Sequence, residues 1–94
     1  MDTLYTRVAA DQVVSTSPVY IFAIVITSNG GGDADATLYD GEGTGDPKIL
    51  GVYTVDEAMA SLVFPTPLRT RRGLYIDVGS NVGEILVQYV NTED

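Results

Sequence analysis

The chain predicts a single all-β domain, an antiparallel β-sandwich of jelly-roll-like layout with about seven to eight short strands. Three observations carry that expectation. Short runs rich in β-branched and aromatic residues recur roughly every ten residues. Clusters of Gly, Pro, Asp and Asn punctuate them, the residues that turns require. At 94 residues there is length for one core and no more, and neither a heptad nor an internal repeat interrupts the pattern. The domain is therefore read as residues 1–94, with 1–12 an N-terminal arm or edge strand and 91–94 a frayed tail.

Residues 1–12 alternate weakly, Leu4, Thr6 and Val8 against Tyr5, Arg7 and Ala9. Ser15-Thr16-Ser17-Pro18 reads as a turn, because the residue before proline is pushed extended and serine favours turns. Val19 to Ser28 follows as the most apolar strand, with both faces apolar. A sandwich strand normally alternates, so its outer face requires a second cover: a loop, the N-terminal segment or another copy of the protein. Asn29 to Asp33 is a glycine-rich loop. Ala36 to Asp40 and Ile49 to Val55 form a hairpin around the long loop Gly41 to Pro47. Thr54-Val55-Asp56-Glu57 fits either a capping box opening one helical turn or a polar turn. Ser61 to Phe64 is a strand that Pro65 and Pro67 are expected to stop. Leu68 to Gly73 is a basic connector, and Leu74 to Val78 with Ile85 to Val90 form a last hairpin through Gly79 to Gly83.

Composition narrows the chemistry. Thirteen Asp and Glu face five Lys and Arg, a formal net charge of −8. That balance repels nucleic acid and anionic membranes, so neither is expected as a partner. The eight-residue run Val19 to Ile26 is far shorter than the ~20 residues of a membrane helix. The beginning of the sequence has no basic or apolar stretch of the secretory kind. With no cysteine and no histidine, disulfides and Cys/His zinc sites are excluded. A small domain without staples leaves self-association as the route to added stability.

Catalytic readings are weak. Serine or threonine nucleophiles lack a histidine base, and Lys48 is the single lysine. Asp33 with Asp35 and Asp56 with Glu57 lie in polar loops, and a carboxylate pair needs a buried pocket to serve as acid and base, which nothing in the sequence indicates. The loop Asp40 to Asp46 alternates oxygen-bearing residues as a calcium loop does, yet Gly51 stands where an EF-hand needs Glu. No cofactor, metal or enzymatic activity is expected. Arg69, Arg71 and Arg72 fall within four positions. They either balance the chain's own acidic loops or fork onto carboxylates of a partner.

The segments Ala36-Thr37-Leu38-Tyr39-Asp40-Gly41, Lys48-Ile49-Leu50, Phe64-Pro65-Thr66-Pro67-Leu68 and Arg72-Gly73-Leu74-Tyr75-Ile76-Asp77-Val78 give the chain a further likeness. Over residues 19–90 it resembles the small jelly-roll-like decoration or cement proteins, and related minor structural proteins, of tailed bacteriophage particles. The resemblance implies a non-enzymatic virion protein, assembled in the host cytoplasm, that forms homotrimers and binds the major capsid protein or another virion protein. On that reading the contacts fall to Tyr20, Phe22, Ile24 and Ile26 on the apolar strand and to Arg69, Arg71 and Arg72. The alternative is a soluble ligand-binding sandwich, a carbohydrate-binding or calcium-dependent adhesion module.

Overall fold

The computed structural model describes residues 4–91, which contain eight strands and no helix. They are β1 (Leu4–Val8), β2 (Gln12–Ser15), β3 (Val19–Ser28), β4 (Ala34–Tyr39), β5 (Lys48–Thr54), β6 (Met59–Arg69), β7 (Leu74–Val78) and β8 (Val82–Asn91). Two four-stranded antiparallel sheets pack face to face, sheet A in the order β1-β8-β3-β6 and sheet B in the order β2-β7-β4-β5. This is the strand order of a jelly roll. Only β4 and β5 form a hairpin; every other connection carries the chain from one sheet to the other.

The core lies between the sheets. Sheet A supplies Val8, Val19, Ile21, Ile24, Ile26, Ile85 and Val87, and sheet B supplies Ala34, Ala36, Leu38, Val52, Leu74 and Ile76. Alternation with period two drives most of this, since every second side chain of a strand points inward. Strand β3 breaks the rule once. Its register against β8 shifts between Ile21 and Ala23, leaving Phe22 as the extra residue of a bulge. Inward positions are therefore odd before the bulge (Val19, Ile21) and even after it (Ile24, Ile26).

Several sequence expectations change. Leu74–Val78 and Val82–Asn91 are strands but not a hairpin: β7 pairs with β2 and β4, and β8 pairs with β1 and β3. The loop between them crosses the sandwich, with Asn81 in the left-handed region at φ 57°. Pro65 and Pro67 do not stop β6, which runs on to Arg69. They lie where β6 leaves its register with β3, between the pairs Ala23↔Val63 and Ile21↔Leu68, on a sheet edge that tolerates proline. Residues 55–58 form the polar turn, closed by the Ala58 amide on the Val55 carbonyl, and Met59 already begins a strand. Gln12–Ser15 is a separate short strand in sheet B, and Leu4–Val8 is an edge strand on β8 rather than a free arm. The tail expected at 91–94 begins at Asn91, the end of β8, and otherwise lies outside the described residues.

Candidate interaction surface

The registers assemble the outer face of sheet A residue by residue. Arg7 sits beside Leu86, Leu86 beside Val25, and Val25 beside Ser61. In the next row Tyr5, Gln88, Ala23 and Val63 stand in line, and at the far end Thr27 pairs with Met59. None of Tyr5, Tyr20, Phe22, Val25, Leu86, Met59 or Val63 belongs to the core or packs against it. Val63, Tyr5 and Met59 are open to solvent at 73%, 67% and 65%. A face this apolar on a sandwich marks a contact surface more often than chance exposure does. Its charged strand residues are Arg7, Glu84 and Arg69, so a chain of net charge −8 keeps this side free of excess acid. Arg7 and Glu84 pair at 3.0 Å.

Of the four strand residues expected to touch a partner, Tyr20 and Phe22 lie on this face. Ile24 and Ile26 do not. Each is 1% exposed and part of the core, because the bulge at Phe22 inverts the alternation that would have aligned them with Tyr20. Val25 takes the outward place. A bulge inside a uniformly apolar strand leaves no mark in the sequence, which is why simple alternation misassigned the pair.

The three neighbouring arginines diverge. Arg69 remains on sheet A opposite Tyr20. Thr70 is buried; its amide donates to the Val19 carbonyl at 2.8 Å and its Oγ1 accepts the Val19 amide at 2.9 Å. The connector then passes to sheet B, where the Asp40 carboxylate accepts the backbone amides of Arg71, Arg72 and Gly73 at 2.8–3.3 Å. Partial burial alone would raise the Asp40 carboxyl; the three amides and the Arg72 charge outweigh it and hold it below the ordinary range. Gly73 is needed here, since a Cβ would collide with the Ser15 carbonyl. The Arg72 guanidinium pairs with Asp46 at 3.2 Å, so this arginine balances the chain's own loop. Arg71 is exposed and forms no ion pair among the described residues.

The same contacts bear on the calcium reading of residues 40–46. Asp40 faces backbone amides, and Asp46 accepts the Glu42 amide through Oδ2 and Arg72 through Oδ1. These carboxylates are organised around donors of the protein itself. Among the described residues no group of three Asp or Glu is placed to hold a metal ion.

The outer face of sheet B is polar and acidic. Tyr39 and Tyr75 approach with ring centroids 6.4 Å apart, but their planes are tilted by 50° and offer no flat platform for a sugar ring. Tyr53 donates to Asp33 at 2.7 Å and the Asp56 amide donates to it at 3.0 Å, and these two bonds lower the Asp33 carboxyl. Asp77 is raised, first by its removal from water and then by the charge of Asp11 and Asp35 beside it. A shallow depression of about 380 Å³ lies at one end of the sandwich between Thr27–Gly30 and Glu57–Met59. Glu57 is the only titratable side chain in its wall, so it offers no acid–base pair. Neither a family model, nor a curated protein, nor a solved structure matches this chain.

Proposed function

We propose that this chain is a non-enzymatic structural protein of a virion, a decoration or cement module that self-associates and clamps the major capsid protein or another particle protein. The outer face of sheet A carries this reading: an apolar, acid-poor surface on an otherwise acidic domain, with nothing among the described residues covering it. A jelly roll is compatible with capsid-associated roles and with lectin-like ones, so the fold alone does not choose. The tilted tyrosines on sheet B weigh against the sugar-binding alternative. The resemblance of residues 19–90 to phage decoration proteins weighs in favour of the particle.

Arg69 at the rim of the face and Arg71 in the connector are the cations offered to a partner's carboxylates. The test is made on virions purified from the source of the sequence, washed at low and high salt and analysed by quantitative mass spectrometry. Retention of the chain at low salt in a fixed ratio to the major capsid protein supports the reading; its absence from washed particles overturns it. Val25→Asp is expected to abolish rebinding to stripped particles. Replacing Arg69 and Arg71 by Ala is expected to weaken rebinding, with a smaller salt dependence than the parent.

A further inference from the structure

Four strands end the two sheets: β1 and β6 in sheet A, β2 and β5 in sheet B. Edge strands template pairing with other chains unless short length, charge or proline blunts them. β2 has only four residues, β1 carries Arg7, and β5 carries Lys48 and Gly51. β6 is different. It is the longest strand at 11 residues, has no charged side chain from Met59 through Leu68, and is blunted only over the half that carries Pro65 and Pro67.

The hydrogen bonds show which of its backbone groups face outward. The Ser28 amide donates to the Ala58 carbonyl, and the Thr70 amide donates to the Val19 carbonyl. Alternate residues of an antiparallel strand address opposite sides. Residues of even number at both ends of β6 therefore address β3, and Met59, Ser61, Val63 and Arg69 present N–H and C=O groups to the open edge. The same alternation brings Pro65 and Pro67 to edge-facing positions, where they offer a carbonyl and no donor. The edge thus has a run with donors, Met59 to Val63, followed by Pro65 and Pro67, which offer acceptors alone.

We infer that β6 pairs antiparallel with β6 of a second copy about a two-fold axis at Val63. In that register Val63 meets Val63, Ser61 can donate to Pro65 and Met59 to Pro67, so the donor run of each copy faces the prolines of the other. Beyond the paired run, Arg69 of one copy comes level with the Asp56–Glu57 turn of the other, where Glu57 is in the left-handed region at φ 59°. Arg69 has no ion pair within the described chain, and Asp56 and Glu57 form the turn just before β6. Charge, donor pattern and the most exposed apolar residue all centre on one axis. The partner is therefore a second copy, in an isologous contact. The two A sheets become one eight-stranded sheet with a continuous apolar face. The inference rests on the self-association in the proposed function and not on its virion part.

Analytical ultracentrifugation of the purified chain tests it. The parent is expected to sediment as a dimer, in contrast to the trimer that the resemblance implies. Ser61→Pro removes an edge-facing N–H and no bond within the monomer, and is expected to raise the dimer dissociation constant about 30-fold. Val63→Lys, whose side chain lies on the open face, provides the second disruption. Arg69→Glu is expected to weaken the dimer at low salt, and Glu57→Arg combined with Arg69→Glu to restore it. A monomeric or trimeric parent overturns the pairing, as does a dimer unchanged by both Ser61→Pro and Val63→Lys. A monomer that still binds particles removes the edge contact alone; a dimer absent from particles removes the virion reading alone.

Discussion

Asp40 ties the end of β4 to the β6–β7 connector through the backbone amides of Arg71, Arg72 and Gly73. Asp40→Asn keeps the shape and removes the charge that those amides and Arg72 face. The expected cost is about 1–2 kcal/mol at pH 7, at the low end for charged hydrogen bonds because the site is partly open to water. The sign with pH follows from the lowered carboxyl. The Asp40 contribution is complete above the unfolded value, near pH ~4, and is lost as pH falls through the lower folded value. Thermal melts should show Asp40→Asn lowering Tm by roughly 4–12 °C at pH 7, with the gap closing in acid. A gap that stays constant from pH 7 down to full protonation would show that the carboxylate is not the anchor. In the sequence Asp40 reads as the last residue of a strand and the first oxygen-bearing position of the loop after it. Its real partners lie more than thirty positions away, and backbone amides carry no sequence signature.

Strands β3 and β7 fall on the residues the sequence indicates, because runs of β-branched and aromatic residues bounded by turn formers fix local extension. What joins to what is less legible. Val78 and Val82 are separated by Gly79-Ser80-Asn81, a short run of turn-forming residues that looks like any hairpin turn, yet the loop crosses between layers. Local turn chemistry does not distinguish the two, since the choice belongs to the whole strand order. β2 was hidden because Gln12-Val13-Val14-Ser15 is too short to show a period. The bulge in β3 decided the site residues, and it supplies a direct test. Ile24→Asp places a charge in the core and is expected to abolish cooperative thermal unfolding; Val25→Asp, one residue on, should leave a cooperative transition within a few degrees of the parent. Equal losses from both substitutions would show that the inversion at Phe22 is misplaced.

For the whole molecule, the two sides of the sandwich differ in kind. Sheet B and its loops hold most of the acid, with Asp11, Asp33, Asp35, Asp40, Asp46 and Asp77 among them, and sheet A holds Leu4, Tyr5, Met59, Leu62 and Val63, the larger share of the exposed large apolar residues. Repulsion among chains of charge −8 opposes unselective stacking of those apolar faces at neutral pH. With a pI of about 4.1, that protection vanishes in mild acid. Solubility is expected to pass through a minimum near pH 4.1, measured as turbidity across a pH series, and Val25→Asp should make the minimum shallower. Turbidity that is flat across pH 3–7, or unaffected by Val25→Asp, would remove the exposed face as the cause.

Strand β1 lies against β8, with Leu4 opposite Tyr89, so the first and last strands share one border of the molecule. That border is the far side of sheet A from β6. A peptide tag or foreign domain joined just before Leu4 or just after Asn91 would hence start from the same place, clear of the β6 edge. A short tether could even sew the extremities together, and the molecule could then be cut open at the glycine-rich stretch near Thr44 to yield a rearranged gene with the same architecture.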